Sequence, residues 1–75
     1  MKLWLLKPRK PFSRKYDVAA AFVIRAHNET RARELAADNH GDEGIAVWLD
    51  SKVTTCAPLM VRGRERIILS DFRAG

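Results

Sequence analysis

The sequence has little of what most functional classes require. Its 75 residues hold one cysteine, four glycines and three prolines. A single thiol forms no internal disulfide, which agrees with a reducing compartment rather than a disulfide-stapled secreted scaffold. So few glycines and prolines beside 31% charged residues fit neither a disordered tail nor a low-complexity segment. No apolar run approaches the roughly 18 to 20 residues that span a bilayer. Met1 to Leu6 is too short for a signal peptide, and its basic cluster follows the apolar stretch instead of preceding it. With no membrane segment, a cytoplasmic location is expected. Ten of the hydrophobic residues are Ala, so a single domain over residues 1–75 folds with little margin.

Acidic residues are missing from one region altogether. Residues 1–15 carry Lys2, Lys7, Arg9, Lys10, Arg14 and Lys15 and no Asp or Glu, whereas residues 16–75 hold eight bases against nine acids. The whole net charge of +5 therefore arises in the first fifth of the chain. A concentrated basic segment attracts polyanions or an acidic protein surface. The plainer alternative is a solvated loop that keeps a small protein soluble.

What is present reads as short elements. Lys2 to Lys7 is apolar and stops before Pro8, as a strand does, with Trp4 and Leu6 facing opposite to Leu3 and Leu5. Residues 7–16, with Pro8, Pro11 and Ser13, form a loop by composition. Val18 to Ala26 is apolar on both alternating sets and reads as a second strand, buried on two sides or centrally placed, although its Ala-rich start is equally compatible with helix. Asn28 is a suitable N-cap for a helix ending near His40, with Glu29 at the positive end of its dipole, a Glu29–Arg33 pair, a thin stripe of Ala32, Leu35, Ala36 and Asn39, and Gly41 as its stop. Ile45, Trp48 and Leu49 fit one helical turn capped by Asp42, with Trp48 as a core plug. Val53 to Val61 and Arg64 to Phe72 read as a hairpin turning at Arg62-Gly63, with Pro58 confining its strand to an edge or a bulge. The expectation is an α+β domain, β-β-α-β-β, with a small, mainly antiparallel sheet of about four strands and one helix on one face.

Catalytic chemistry is also scarce. Cys56 stands alone as a small apolar strand residue. His27 and His40 flank a helix that separates them by roughly 20 Å at 1.5 Å per residue, so neither assists the thiol nor shares a metal with the other. His40-Gly41-Asp42-Glu43-Gly44 offers neither the alternating oxygen ligands of a calcium loop nor the Cys/His set of a zinc site. GxGxxG, Walker and GxSxG patterns are missing, and Asp50 and Asp71 are isolated carboxylates. A non-enzymatic protein with no catalytic residue, cofactor or metal is expected.

Binding is the remaining route to function. Bases alternate with Trp4, Phe12 and Tyr16 near the start of the chain. Single strands of nucleic acid are held by aromatic stacking beside a cationic groove, while duplex phosphates need only the cations. A second basic run, Arg62, Arg64 and Arg66, lies at the predicted hairpin tip, with Glu65 lowering its charge. Lys7, Arg9, Lys10, Arg14, Lys15, Arg62, Arg64 and Arg66 are the candidate partner-binding residues. They form one surface only if loop and tip share an end of the sheet.

Phe22-Val23-Ile24-Arg25-Ala26, Arg31-Ala32-Arg33-Glu34-Leu35-Ala36, Gly41-Asp42-Glu43-Gly44, Trp48-Leu49-Asp50 and Thr54-Thr55-Cys56 together resemble small phage and prophage proteins that start MKLWLL and end in a hydrophobic strand followed by Asp-Phe. This chain departs from that pattern at Ser51, where a Pro often follows the Trp-Leu-Asp segment, and in its basic first loop. It also looks similar to an anti-CRISPR protein directed at a type I effector complex. That resemblance implies an inhibitor in the host-cell cytoplasm that binds a host protein or ribonucleoprotein complex and blocks target-DNA binding, with contacts to nucleic-acid phosphates left open. A net charge of +5 disfavours an acidic DNA mimic. The alternative is a small basic nucleic-acid-binding or regulatory phage protein. Oligomeric state is not readable, since no heptad repeat is visible.

Overall fold

Alternation of apolar residues builds the centre of the domain. In the computed structural model, which describes residues 1–10 and 18–69, β1 (Lys2–Pro8) is the middle strand of a three-stranded antiparallel sheet. It lies between β2 (Phe22–Ala26) and β3 (Thr54–Pro58), so β2 is an edge strand with Val23 and Arg25 exposed on one face, and not the central or doubly buried strand expected. Leu6 pairs with Phe22 on one side and Cys56 on the other. These three residues and Trp4 face two helices, α1 (Glu29–Asp38) and α2 (Ala46–Leu49). Leu3, Leu5 and Lys7 therefore face the opposite side, as period-two alternation requires. The fold is a small α+β domain with element order β-β-α-α-β and helices packed on one face of the sheet.

The core is thin because α1 contributes mainly alanines. Ala32, Ala36 and Ala37 are buried with Leu6, Ala26 and Trp48, allowing the helix to lie close to the sheet. Asn28 caps α1 by accepting from the Arg31 amide at 2.8 Å, which satisfies one of the free donors of the first turn. The helix ends at Asp38, before the predicted His40. Its C-cap is Asn39, whose amide donates to the Ala36 carbonyl at 3.0 Å and whose side chain donates to the Leu35 carbonyl at 2.9 Å. This closure takes the role expected of Gly41 and leaves Asn39 exposed rather than in the stripe. The buried stripe is rotated to include Arg33 and Ala37.

Trp48 fills the space that the alanines leave. Its side chain is fully buried, and its ring meets Phe22 edge to face at 4.9 Å, a favourable arrangement for aromatic quadrupoles. The expected turn is present, but Asp42 does not cap it and Ile45 and Leu49 are exposed. The neighbouring acid, Glu43, does the structural work: one carboxylate oxygen accepts from the Ala19 and Gly41 amides at 3.0 Å each, and the other from the Trp48 indole at 2.6 Å. Residues 18–21 consequently lie outside β2. Ala19 gives its donor to a side chain instead of a ladder, and the β1–β2 pairing stops at Leu6 and Phe22.

Burial pushes the Glu43 carboxyl up, but hydrogen bonds from Trp48, Ala19, Gly41 and its own backbone outweigh this and hold it below the ordinary glutamate range. A depressed folded-state pKa stabilises the fold fully above the unfolded value of about 4.3, and that contribution is lost as pH falls through the folded value. Urea midpoints measured at neutral and acidic pH should therefore drop less on acidification for Glu43→Gln than for the wild type. Identical pH profiles would remove Glu43 from this role.

The fourth strand is not formed over its described part. Residues 59–69 have no regular structure and all but Leu59 are exposed; residues 70–72 of the predicted strand lie outside the described residues. The order β2-β1-β3 leaves β3 at an edge, and that edge is blunted. The Thr54 amide donates to the Asp50 carbonyl and the Thr54 carbonyl accepts from Arg33. Leu59 donates inward to the Leu3 carbonyl, so the nitrogen of Pro58 points outward, where its missing donor breaks no bond to β1. Only Cys56 keeps both backbone groups for a further strand. The predicted 53–61 strand thus shortens to 54–58, and no hairpin turns at Arg62-Gly63.

Candidate docking surface

Charge is separated between the two layers. Residues 29–50, which hold both helices, contain six acids and two arginines. The other described residues contain nine bases and one acid, Glu65. Strand alternation places Lys7 and Arg25 on the sheet face away from the helices, together with Leu3, Leu5, Val23, Thr55 and Ala57. No carboxylate lies on that face among the described residues. It combines positive charge with exposed apolar surface: Leu3 and Val23 are partly uncovered, while Leu5 is buried.

Beside this face the chain from Pro58 to Ile68 encloses a groove of about 660 Å³. Leu5, Lys7 and Ala57 line it from the sheet, and Leu59, Met60, Val61 and Ile68 supply much of the other wall. Arg62, Arg64 and Arg66 line the same groove. Lys7 and these three arginines are exposed and have no ion pair among the described residues. The two basic regions noted in the sequence thus meet through Lys7, although the hairpin that was to present the arginines is absent.

The other candidates are placed differently. Arg9 follows β1, its amide donating to the Val53 carbonyl and its guanidinium Nε to the Ser51 carbonyl, both at 2.9 Å. This tethers it at the start of β3, with Lys52 close by in sequence to its acceptor. Lys10 is exposed next to it. Arg14 and Lys15 lie outside the described residues, as do Phe12 and Tyr16. Trp4 is turned inward, and its indole donates to the Ala26 carbonyl at 3.0 Å; it is not a surface stacking platform. Arg25 was missed, although its alternation with Ile24 and Ala26 was a usable signal. The apolar wall at residues 59–61 was missed because those residues read as a strand.

Other reactive side chains do not converge. Cys56 is half-buried against the core. Burial and the Glu29 charge push its thiol up, partly opposed by Arg33, which disfavours the reactive thiolate. His27 and His40 are both exposed at opposite ends of α1. Among the described residues no group of three or more His, Cys, Asp and Glu is placed to hold a metal ion, and no helix is long and apolar enough to cross a membrane. No family model, curated protein or solved structure matches the chain.

Proposed function

We propose that this chain is a non-enzymatic binding protein that docks its basic surface on an anionic macromolecule, and that it acts as an inhibitor by occupying that surface in stoichiometric amount. The observation that carries this reading is the separation of charge: acids concentrate in the helical layer, while the outer sheet face, the end of β1 and the groove present bases almost without acids. Like charges held together repel in the free protein and are relieved by an anionic partner. The resemblance to phage-encoded anti-CRISPR proteins names a type I effector complex as the partner to test. Direct binding to nucleic acid is the second reading, favoured by cations with no ion pair among the described residues, which are free to neutralise phosphates.

Target-DNA binding by purified type I effectors, measured with and without the protein, separates the two. An inhibitor of an effector lowers it at equimolar ratio. A nucleic-acid binder shifts DNA in the absence of effector, with affinity that falls steeply as salt rises. The variant Arg9→Glu/Lys10→Glu/Arg14→Glu is expected to abolish either activity while circular dichroism stays unchanged. The Arg9 contact to Ser51 is an exposed hydrogen bond, whose loss costs only about 1 kcal/mol. Full activity in a folded triple variant would move the contact away from the end of β1.

A further inference from the structure

The groove beside the sheet is more than an extension of the basic surface, because its lining mixes aliphatic side chains with the bases. Val61 is fully exposed and Met60 is 77% exposed, and both lie in the lining with Leu59 and Ile68. Apolar residues gathered in a surface concavity of ligand-sized volume, about 300 to 1,000 Å³, mark an interaction site more often than a solvated surface. Among the described residues the lining contains no aromatic ring. Single-stranded nucleic acid gains much of its affinity from bases stacked on aromatic side chains, and this groove offers none. Nor does a phosphate backbone have an apolar surface to bury against Met60 and Val61.

We infer that the groove is a receptor for an acidic protein segment in which carboxylates are interspersed with aliphatic side chains. This rests on the reading above that the basic surface is the docking surface, and names the chemistry of its partner. Arg62, Arg64 and Arg66 line one wall, with Glu65 as the single acid among them, and Lys7 approaches from the sheet, so a carboxylate-bearing segment meets cations on both walls. An extended peptide alternates its side chains with a period of two, so a Glu/Leu segment presents both carboxylates and aliphatic groups to a lining that mixes cations with aliphatic side chains. The division of labour is physical. Exposed charges set encounter rate and orientation, whereas burial of apolar area supplies affinity that salt does not screen. Pairing through the free edge of β3 contributes little, because Thr54 has spent its outward groups and Pro58 has no donor.

Fluorescence anisotropy tests this with a labelled synthetic peptide in which Glu alternates with Leu. The comparison probes are the same peptide with Ser for Leu, the same peptide with Gln for Glu, and labelled oligothymidylate of equal charge. The Glu/Leu peptide should bind, and each altered peptide should bind at least about tenfold more weakly, the equivalent of 1.4 kcal/mol. Arg62→Glu/Arg64→Glu/Arg66→Glu should abolish binding, and Met60→Ser/Val61→Ser should weaken it by about tenfold. All five positions are exposed, so circular dichroism of both variants should match the wild type. Equal binding of the Ser and Leu peptides, unchanged affinity in the folded variants, or binding of oligothymidylate without binding of the peptide would each overturn the acidic-peptide receptor and leave the anionic docking reading standing. Failure of every probe to bind would overturn both.

Discussion

Trp48→Ala is expected to lower the free energy of unfolding by about 3 to 5 kcal/mol, the range for removing a large aromatic side chain from a core. Trp48 is the largest fully buried side chain among the described residues, and the neighbouring core residues from α1 are alanines that cannot expand into the cavity. Phe22 would lose its edge-to-face partner and Glu43 its indole donor. At roughly 0.05 to 0.15 kcal/mol per residue, a chain of this length has about 4 to 11 kcal/mol in total, so the substitution consumes much of it. Urea unfolding followed by circular dichroism should show the midpoint fall sharply or the folded baseline disappear. Trp48→Phe should lie between the two, since it refills most of the volume but leaves Glu43 without its 2.6 Å bond. A wild-type midpoint in Trp48→Ala would mean that the core is built around some other residue.

Trp48 was legible because a bulky apolar residue in a helical turn between polar neighbours has few places to go. The same kind of local signal located β1 with its two alternating faces and the Asn28 cap. What failed were features decided by contacts between distant segments. The fourth strand looked sound from its β-branched residues alone, but strand formation needs a partner edge with free donors and acceptors, and on β3 Asp50 and Arg33 take those of Thr54 and Pro58 has no donor, which leaves only Cys56 with both. The Ala-rich start of the second strand gave way for a related reason, as the Ala19 amide is claimed by Glu43 from across the domain. For the candidate surface, charge content was readable and placement was not. Their spacing in the sequence places Arg62, Arg64 and Arg66 at a hairpin tip, yet they share a groove with Lys7 because the chain after Pro58 leaves the sheet instead of continuing it.

Arg33 shows the same limit from the side of burial. The Glu29–Arg33 spacing predicts an ordinary helix-surface pair, and the pair forms at 2.9 Å. Glu29, however, is half exposed while the Arg33 side chain is only 8% exposed, so the ion pair is the smaller part of its environment. The guanidinium enters the junction between helices and sheet. Its Nη1 donates to the Trp48 carbonyl at 3.0 Å and to Thr54 Oγ1 at 2.9 Å, and its Nη2 donates to the Thr54 carbonyl at 3.1 Å. Thr54 Oγ1 in turn donates to the Val47 carbonyl at 2.7 Å. One side chain from α1 thereby ties together the end of α2 and the start of β3, and no buried side-chain polar atom among the described residues is left without a partner.

Removing the donor from such a buried network leaves neutral acceptors unpaired in a low-dielectric site, at a cost of about 1 to 3 kcal/mol for each group left unsatisfied. Arg33→Ala is therefore expected to destabilise the protein about as much as Trp48→Ala, although it removes no part of the apolar core. Arg33→Met separates the two contributions of this side chain. It restores much of the packing of the aliphatic stem but none of the donors, so its urea midpoint should recover only part of the loss. Recovery to the wild-type midpoint would show that the stem matters and the hydrogen bonds do not. Because Thr54 opens the edge strand, the Arg33 variants should also release the Thr54 carbonyl for pairing with other strands. Light scattering during heating should then rise earlier for Arg33→Met than for a core variant of equal stability, such as a matched substitution at Leu6. Identical scattering would confine the role of Arg33 to stability and leave the protection of the β3 edge to Pro58.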